Sequence, residues 1–188
     1  MPRAKKPRLA TARLVLRPWT AGDEDAIVRH ADNPRVARYL RDVFPRPYTR
    51  ADAERWVAYN ATVKGPPLDF AITLDGEAIG GIGLIPNPDM FRCSVELGYW
   101  IGEPFWGRGL TVEAIEAMVG YAFATFPEVA VVQARHVEAN ANSGRVLLKA
   151  GFQLEGRLRD AAVKNGVVSD VLVYSRTRAE HEGSSRPK

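Results

Sequence analysis

Cysteine is nearly absent from this 188-residue chain: Cys93 stands alone, which excludes an internal disulfide framework and a cysteine-based metal site. Nothing in the sequence pairs Cys93 with a base, so a thiol nucleophile is not expected. Histidine is scarce as well. His30, His136 and His181 lie far apart and lack metal-ligand spacing, so no metal is expected. No apolar run approaches the ~20 residues of a membrane span, and no apolar signal-peptide core opens the chain, so it reads as cytoplasmic with no membrane partner.

An excess of one charge sign is missing too, once the net charge of +4 is located. Arg3, Lys5, Lys6 and Arg8 equal that excess, and the rest of the chain is balanced. Residues 1–8, with Pro2 and Pro7, read as a disordered basic arm. No aromatic side chains interleave its charges, which disfavours a nucleic-acid partner. What remains, 46% hydrophobic and 26% charged, has the composition of an ordinary globular protein. Residues 9–176 read as one domain and residues 177–188 as a polar tail.

The order of elements is helices early, then a strand meander, then alternating strands and helices. Leu9 to Arg17 reads as a strand ended by Pro18. Thr20 is placed to cap a helix with Asp23, Glu24 and Asp25 in its first turn, and Asn33-Pro34 stops it. Thr49 caps a clearer helix from Arg50 to Val63. Asp69–Leu74 and Glu77–Ile85 flank Asp75-Gly76, a strong hairpin signal, and Arg92–Trp100 follows. A helix is predicted from Gly107 to Phe126, with Leu110, Ala114, Ile115, Met118, Val119 and Ala122 on its apolar stripe. Val129–Val137 is a strand, and a helix after Asn140 ends at Gly151. Leu154–Leu158, Ala161–Lys164 and Val167–Tyr174 are strands, the last two joined by Asn165-Gly166. Together these give an α+β (α/β mixed) fold with a mixed sheet and helices on both faces.

The chain is organised around Trp100 to Ala114, where an aromatic strand end meets a glycine loop that opens a helix. Gly107 and Gly109 remove side chains where the backbone turns. The first amides of the helix lack internal partners and the helix dipole favours an anion there, so the loop suits a phosphate or diphosphate. A tight turn that needs two glycines for packing explains the pattern equally well.

Four motifs in order resemble the GNAT acyl-CoA N-acetyltransferases, in the RimJ/RimL-like branch that acetylates ribosomal-protein N-termini. They are Thr11-Ala12-Arg13-Leu14-Val15-Leu16-Arg17; Glu96-Leu97-Gly98-Tyr99-Trp100-Ile101 with Trp106-Gly107-Arg108-Gly109 and Glu113-Ala114; Asn140-Ala141-Asn142-Ser143 with Lys149-Ala150-Gly151-Phe152; and Glu155-Gly156 with Asp170 and Tyr174. Two departures stand out. Trp106 and Thr111 occupy the ends of the diphosphate loop, where the wider family has Gln or Arg and then Gly or Ala. Leu147 occupies the place of the tyrosine that many members use as general acid.

The resemblance implies a twisted, mostly antiparallel sheet with a splayed strand pair for acyl-CoA, and acetyl-CoA as the acyl-donor substrate. It implies donor binding by Ile101, Trp106, Gly107, Arg108, Gly109, Leu110, Thr111, Asn140 and Ser143. Glu96 is the implied proton acceptor, through water and with its basicity raised by burial between Val95 and Leu97, and Ser143 the hydroxyl near the departing sulfur. On a plain structural reading Glu96 faces solvent and Asn140 only caps a helix. Asp170 and Tyr174 are weaker rivals for the two roles.

The activity implied is acetyl transfer to a primary amine in a ternary complex, with a protein N-terminal α-amine as the branch's acceptor. Phe44, Tyr48, Trp56 and the strand with Gly80 and Gly81 are the expected groove. A small-amine or antibiotic acyltransferase and a non-catalytic acyl-CoA sensor share the same features. Nothing in the sequence argues for a homodimer through the final hairpin or against it.

Overall fold

The computed structural model describes residues 7–184. The basic arm expected over residues 1–8 therefore lies, but for Pro7 and Arg8, outside the described residues, as do residues 185–188 of the tail. The first half of the chain forms β1 (Leu9–Ala10), β2 (Val15–Arg17), α1 (Glu24–Ala31), α2 (Pro34–Ala37), α3 (Arg50–Thr62), β3 (Asp69–Leu74) and β4 (Glu77–Pro86). There follow β5 (Ser94–Ile101), α4 (Leu110–Thr125), β6 (Val131–Val137), α5 (Ala141–Lys149), β7 (Gln153–Lys164), β8 (Val167–Thr177) and α6 (Arg178–Ser184). The eight strands form one mixed, mostly antiparallel sheet in the order β1-β2-β3-β4-β5-β6-β8-β7. Among the described residues, no helix is long and apolar enough to cross a membrane.

The chain separates into two compact units, one holding the residues up to Gly83 with Tyr99–Ala117, the other Leu84–Gly98 with the chain from Met118 onward. In the first, β1 and β2 pair as a small antiparallel hairpin where the sequence reads as one strand, Leu9 opposite Leu16. The Thr11 amide donates to the Leu14 carbonyl, and the Thr11 hydroxyl accepts from the Leu14 amide, which closes that turn. Thr20 does not cap α1. Asp23 holds the N-cap position, and its carboxylate turns back to both Arg17 nitrogens at 2.7 Å and to the Thr20 amide at 2.9 Å. Thr49 does cap α3, in a reciprocal capping box with Asp52. Asp75 (φ 50) and Gly76 (φ 89) make the tight turn between β3 and β4 that their sequence announces. Trp19, Ile27, Tyr48, Val57 and Ala71 are buried together, with Phe44, Trp56 and Trp100 packed against them.

In the second unit, β5 and β6 run parallel through Ser94–Val131, Val95–Val132 and Glu96–Gln133. Among the described residues no pairing between them continues past Glu96 and Gln133, although β6 stays paired to β8 as far as Val137. Beyond Gln133 the β5-side edge of β6 is thus left open. β7 is a single strand where the sequence shows two, because register shifts at Leu154/Gly156 and Leu158/Ala162 absorb the break. The tail is polar as read from the sequence, and its first part is also ordered. β8 continues to Thr177, and Thr177 and Glu180 form a capping box that starts α6. The Arg178 guanidinium then donates to the carbonyls of Phe123, Phe126 and Val129 at 2.7–3.0 Å, satisfying groups left open at the end of α4.

Candidate active site

After Ile101, the Gly102 amide donates to the Ile79 carbonyl at 2.8 Å and the chain leaves the sheet in a short turn over Glu103–Phe105. Trp106 fastens that turn, its indole Nε1 donating to the Ile101 carbonyl at 2.8 Å. Gly107 (φ 72) and Gly109 (φ 76) are both left-handed, a conformation strained for any other residue. α4 starts at Leu110 instead of at Gly107, and the Gly109 carbonyl accepts the first helical bond from the Glu113 amide. The amides of Leu110, Thr111 and Val112 precede that bond and so have no acceptor inside the helix. A Cβ at Gly107 would meet nothing within 4 Å, so the loop's outer side is open. Exposed glycines ahead of free amides at a helix N-terminus fit a diphosphate.

The residues expected around this loop divide by role. The side chains of Ile101 and Leu110 are buried in the core, so only their backbone is offered outward. Arg108 is exposed, with its guanidinium 5.7 Å from the centre of the Phe105 ring. Glu113 is the residue that fixes the loop. Its carboxylate accepts from the Thr11 hydroxyl, from the Arg13 amide at 2.7 Å and from Arg13 Nε at 2.7 Å, while Arg13 also donates to the Arg108 carbonyl at 2.8 Å. Burial works to raise the Glu113 pKa, and these donors outweigh it and hold the carboxyl below its usual range. The opening motif Thr11–Arg17 thereby acquires a physical purpose.

In the second unit, Glu96 is not enclosed between its apolar neighbours. Val95 and Leu97 turn to the buried face, and Glu96 lies on the other, with 28% of its side chain exposed and Arg135 Nε 3.6 Å away. Its carboxylate is thus only partly covered, and Arg135 is a partner that sequence reasoning missed. Asn140 does cap α5, its side-chain oxygen accepting from the Ser143 amide at 3.4 Å. Ser143 is half-buried in the first turn of that helix. Leu147 is fully buried, so the place of the usual tyrosine is filled by core.

The rival residues have structural work. Asp170 accepts from the Asp160 amide at 2.9 Å and from Arg157, and these two hold its carboxyl below the usual range. Tyr174 is buried and stacks on His136, ring centres 5.3 Å apart. α5 can lie on that pair only because residue 144 is glycine: a Cβ there would stand 2.8 Å from Tyr174 Oη and 3.0 Å from His136 Nε2. Cys93 is exposed and free, and among the described residues no group of three or more His, Cys, Asp or Glu could hold a metal.

Of the residues expected in an acceptor groove, two share a cavity and the two glycines do not. A cavity of about 440 Å³ is lined by Tyr48 and Trp56 with Val43, Pro45, Arg55 and Tyr59. Burial pushes the Tyr48 hydroxyl up to about 12, so it stays protonated. Gly80 and Gly81 do not line open space. A Cβ on Gly80 would be 2.4 Å from the Trp100 carbonyl oxygen, and one on Gly81 would be 2.7 Å from Trp100 Nε1 and 3.0 Å from Trp19. Both glycines serve close packing of Trp100.

Known proteins with the same pattern are acetyltransferases. A family model described as Acetyltransferase (GNAT) domain matches residues 13–153. The N-acetyltransferase YoaA of Bacillus subtilis is 32% identical over 171 residues, 90% of this chain and 96% of its own. The ribosomal-protein-serine acetyltransferase of Escherichia coli is 31% identical over 107 residues, 57% of this chain and 59% of its own. Among solved structures, RimL, the ribosomal L7/L12 alpha-N-protein acetyltransferase in complex with coenzyme A, superposes with a TM-score of 0.76 at 19% identity, covering 91% of this chain and 98% of its own. That last likeness is one of fold.

Proposed function

The chain belongs to the GNAT acetyltransferase family, and on that premise we propose that it moves an acetyl group from acetyl-CoA to a protein N-terminal α-amine, directly, in a ternary complex. It is an N-acetyltransferase, and acetyl-CoA is the donor that the family uses. The single observation that carries the reading is the Gly107–Gly109 loop, whose left-handed glycines leave the amides of Leu110, Thr111 and Val112 open at the start of α4. The ribosomal-protein relatives support an N-terminal α-amine as acceptor and a cytoplasmic place of work.

Acetyl transfer needs a neutral amine and help for the sulfur as it leaves. The diphosphate of the donor is bound by the backbone of Gly107 to Thr111, with Trp106 bracing the loop and Arg108 adding positive charge; Ile101 contributes its backbone. The amide-bearing arm of the donor pairs with a strand edge, for which β6 beyond Gln133 is suited. Glu96, oriented by Arg135, takes the amine proton through a water. The amine nitrogen then attacks the thioester carbon and the carbon–sulfur bond breaks. Ser143 donates a hydrogen bond that steadies the thiolate, and Asn140 holds Ser143's helix turn in place.

A thiol-release assay tests this, with acetyl-CoA against peptides of varied N-termini, polyamines, aminoglycosides and free amino acids. Release with peptides alone is expected. Release with a small amine alone would keep the chemistry and discard the protein acceptor. Glu96→Gln is expected to lower turnover by roughly 100-fold or more, the usual contribution of a general base, with donor affinity kept. Unchanged turnover would remove Glu96 from its role. One observation favours a second reading, acyl-CoA binding without transfer: the general-acid tyrosine's place is held by buried Leu147. Donor binding with no turnover of any acceptor would establish it.

A further inference from the structure

The first unit contains a carboxylate that the fold leaves without a partner. Asp69 opens β3, directly opposite Gly83 of β4, and its side chain lies across that glycine: a Cβ on Gly83 would stand 2.2 Å from Asp69 Oδ1. Strand alternation puts Asp69 on the same face as Ala71, which is buried among Trp19, Tyr48 and Val57 with Trp100 packed against them. Asp69 is half-buried at the margin of this aromatic floor. Among the described residues, no hydrogen bond or ion pair satisfies its carboxyl oxygens.

The charged groups of the neighbouring strand and of the helices in this unit are committed elsewhere. Arg17, which lies opposite Ala71 on β2, gives its guanidinium to Asp23 in two bonds of 2.7 Å. On α1, His30 and Arg29 both bind Glu77, and Asp25 pairs with Arg50. On α3, Arg50 also binds Glu54 and Arg55 binds Asp52. Among the described residues, no cation pairs with Asp69. A carboxylate withdrawn from water is normally paired, and leaving one unpaired is destabilising.

We propose that Asp69 binds the acceptor amine in its ammonium form, so that the enzyme selects primary amines that are charged when they arrive. This deepens the acetyl-transfer reading and rests on it. An ammonium would supply the hydrogen bonds that Asp69 lacks, and the indoles of Trp19 and Trp100 pack on Gly81, two residues along β4 from Gly83. Burial supports the assignment from the other side, since it pushes the carboxyl up to about 6. Asp69 is then charged at pH 7–8 and its hold on an ammonium weakens as the pH falls through 6.

The test is Asp69→Asn in the full chain, assayed by thiol release with acetyl-CoA and two acceptors. One is the best peptide of the panel; the other is a primary aromatic amine, neutral at pH 8. Loss of a charge-assisted bond is expected to raise KM for the peptide by roughly 10- to 100-fold with kcat changed far less. KM for the neutral amine should hardly move, and Asp69→Glu should recover part of the loss. In the wild type, peptide KM should climb below pH 6, and in Asp69→Asn that limb should vanish. Equal KM for the peptide in both proteins overturns the proposal, and so does an equal rise for both acceptors. Unchanged acetyl-CoA affinity certifies that the variant is folded. If the wild type releases thiol with no amine, it is the acetyl-transfer reading that fails. Calorimetric titration of the same peptide then decides the role of Asp69 separately, since binding unaffected by Asp69→Asn overturns it.

Discussion

A carboxylate kept half-buried without a partner destabilises the folded chain at neutral pH, and Asp69 makes the effect measurable. Its folded pKa, about 6, lies above the ordinary 3.8, so the folded state binds the extra proton between those values. The stabilisation is complete below pH 4 and is lost as the pH rises through 6. Asp69→Asn is therefore expected to raise stability at pH 8 by about 1–3 kcal/mol, the upper figure being the full two-unit shift. Urea unfolding at pH 8 and pH 4 checks the sign, because the gain should shrink at the lower pH. Gly144→Ala runs the other way. The new Cβ would crowd Tyr174 and His136, and the expected loss of about 1–3 kcal/mol exceeds the helix-propensity gain of about 1 kcal/mol. A lowered Tm would show it.

At the scale of elements, the loop before α4 depends on a strand hairpin far from it in sequence. Glu113→Ala would release the Thr11 hydroxyl, the Arg13 amide and the Arg13 guanidinium together. Acetyl-CoA affinity is expected to fall several-fold even though Glu113 touches no donor atom, and stability by about 2 kcal/mol, as for loss of bonds to a charged group. Gly109→Ala is expected to weaken donor binding at least tenfold through strain at φ 76, with less effect on Tm. Calorimetry with CoA separates the two variants from a general loss of fold. Elements of this kind were partly legible. Asp75-Gly76 and Asn165-Gly166 gave their turns, since two adjacent residues decide a left-handed turn. The pair Thr177 and Glu180 carried a capping-box signal for α6 that the polarity of the tail concealed.

For the whole molecule, acid should act through several carboxylates at once. Burial works to raise Asp23 while Arg17 and Thr20 outweigh it, and the bond to His30 holds Glu77 low; Glu113, Asp170 and Glu180 are depressed as well. Depressed carboxyls contribute stability that is present above their unfolded values and lost as the pH falls through the folded ones. Burial, then Arg176, lowers His181, so its contribution is lost on acidification too. Asp69 opposes them all between 4 and 6. Asp69→Asn should accordingly steepen the loss of stability on going from pH 6 to pH 4, which thermal melts across that range would record.

The sequence by itself determined the family, the order of elements, the turns, the apolar stripe of α4 and the glycine loop, because each is written in residues close along the chain. Local periodicity, left-handed glycines and helix caps need no distant partner. Tertiary structure alone decided what each charged side chain faces. Glu96 meets Arg135 from another strand, Glu113 is held by Thr11 and Arg13 about a hundred residues earlier, and Gly80 and Gly81 admit Trp100 where a groove was expected. Asp69 is left unpaired for the same reason. Desolvation and ion pairing depend on what folding brings near, and no spacing along the chain encodes that.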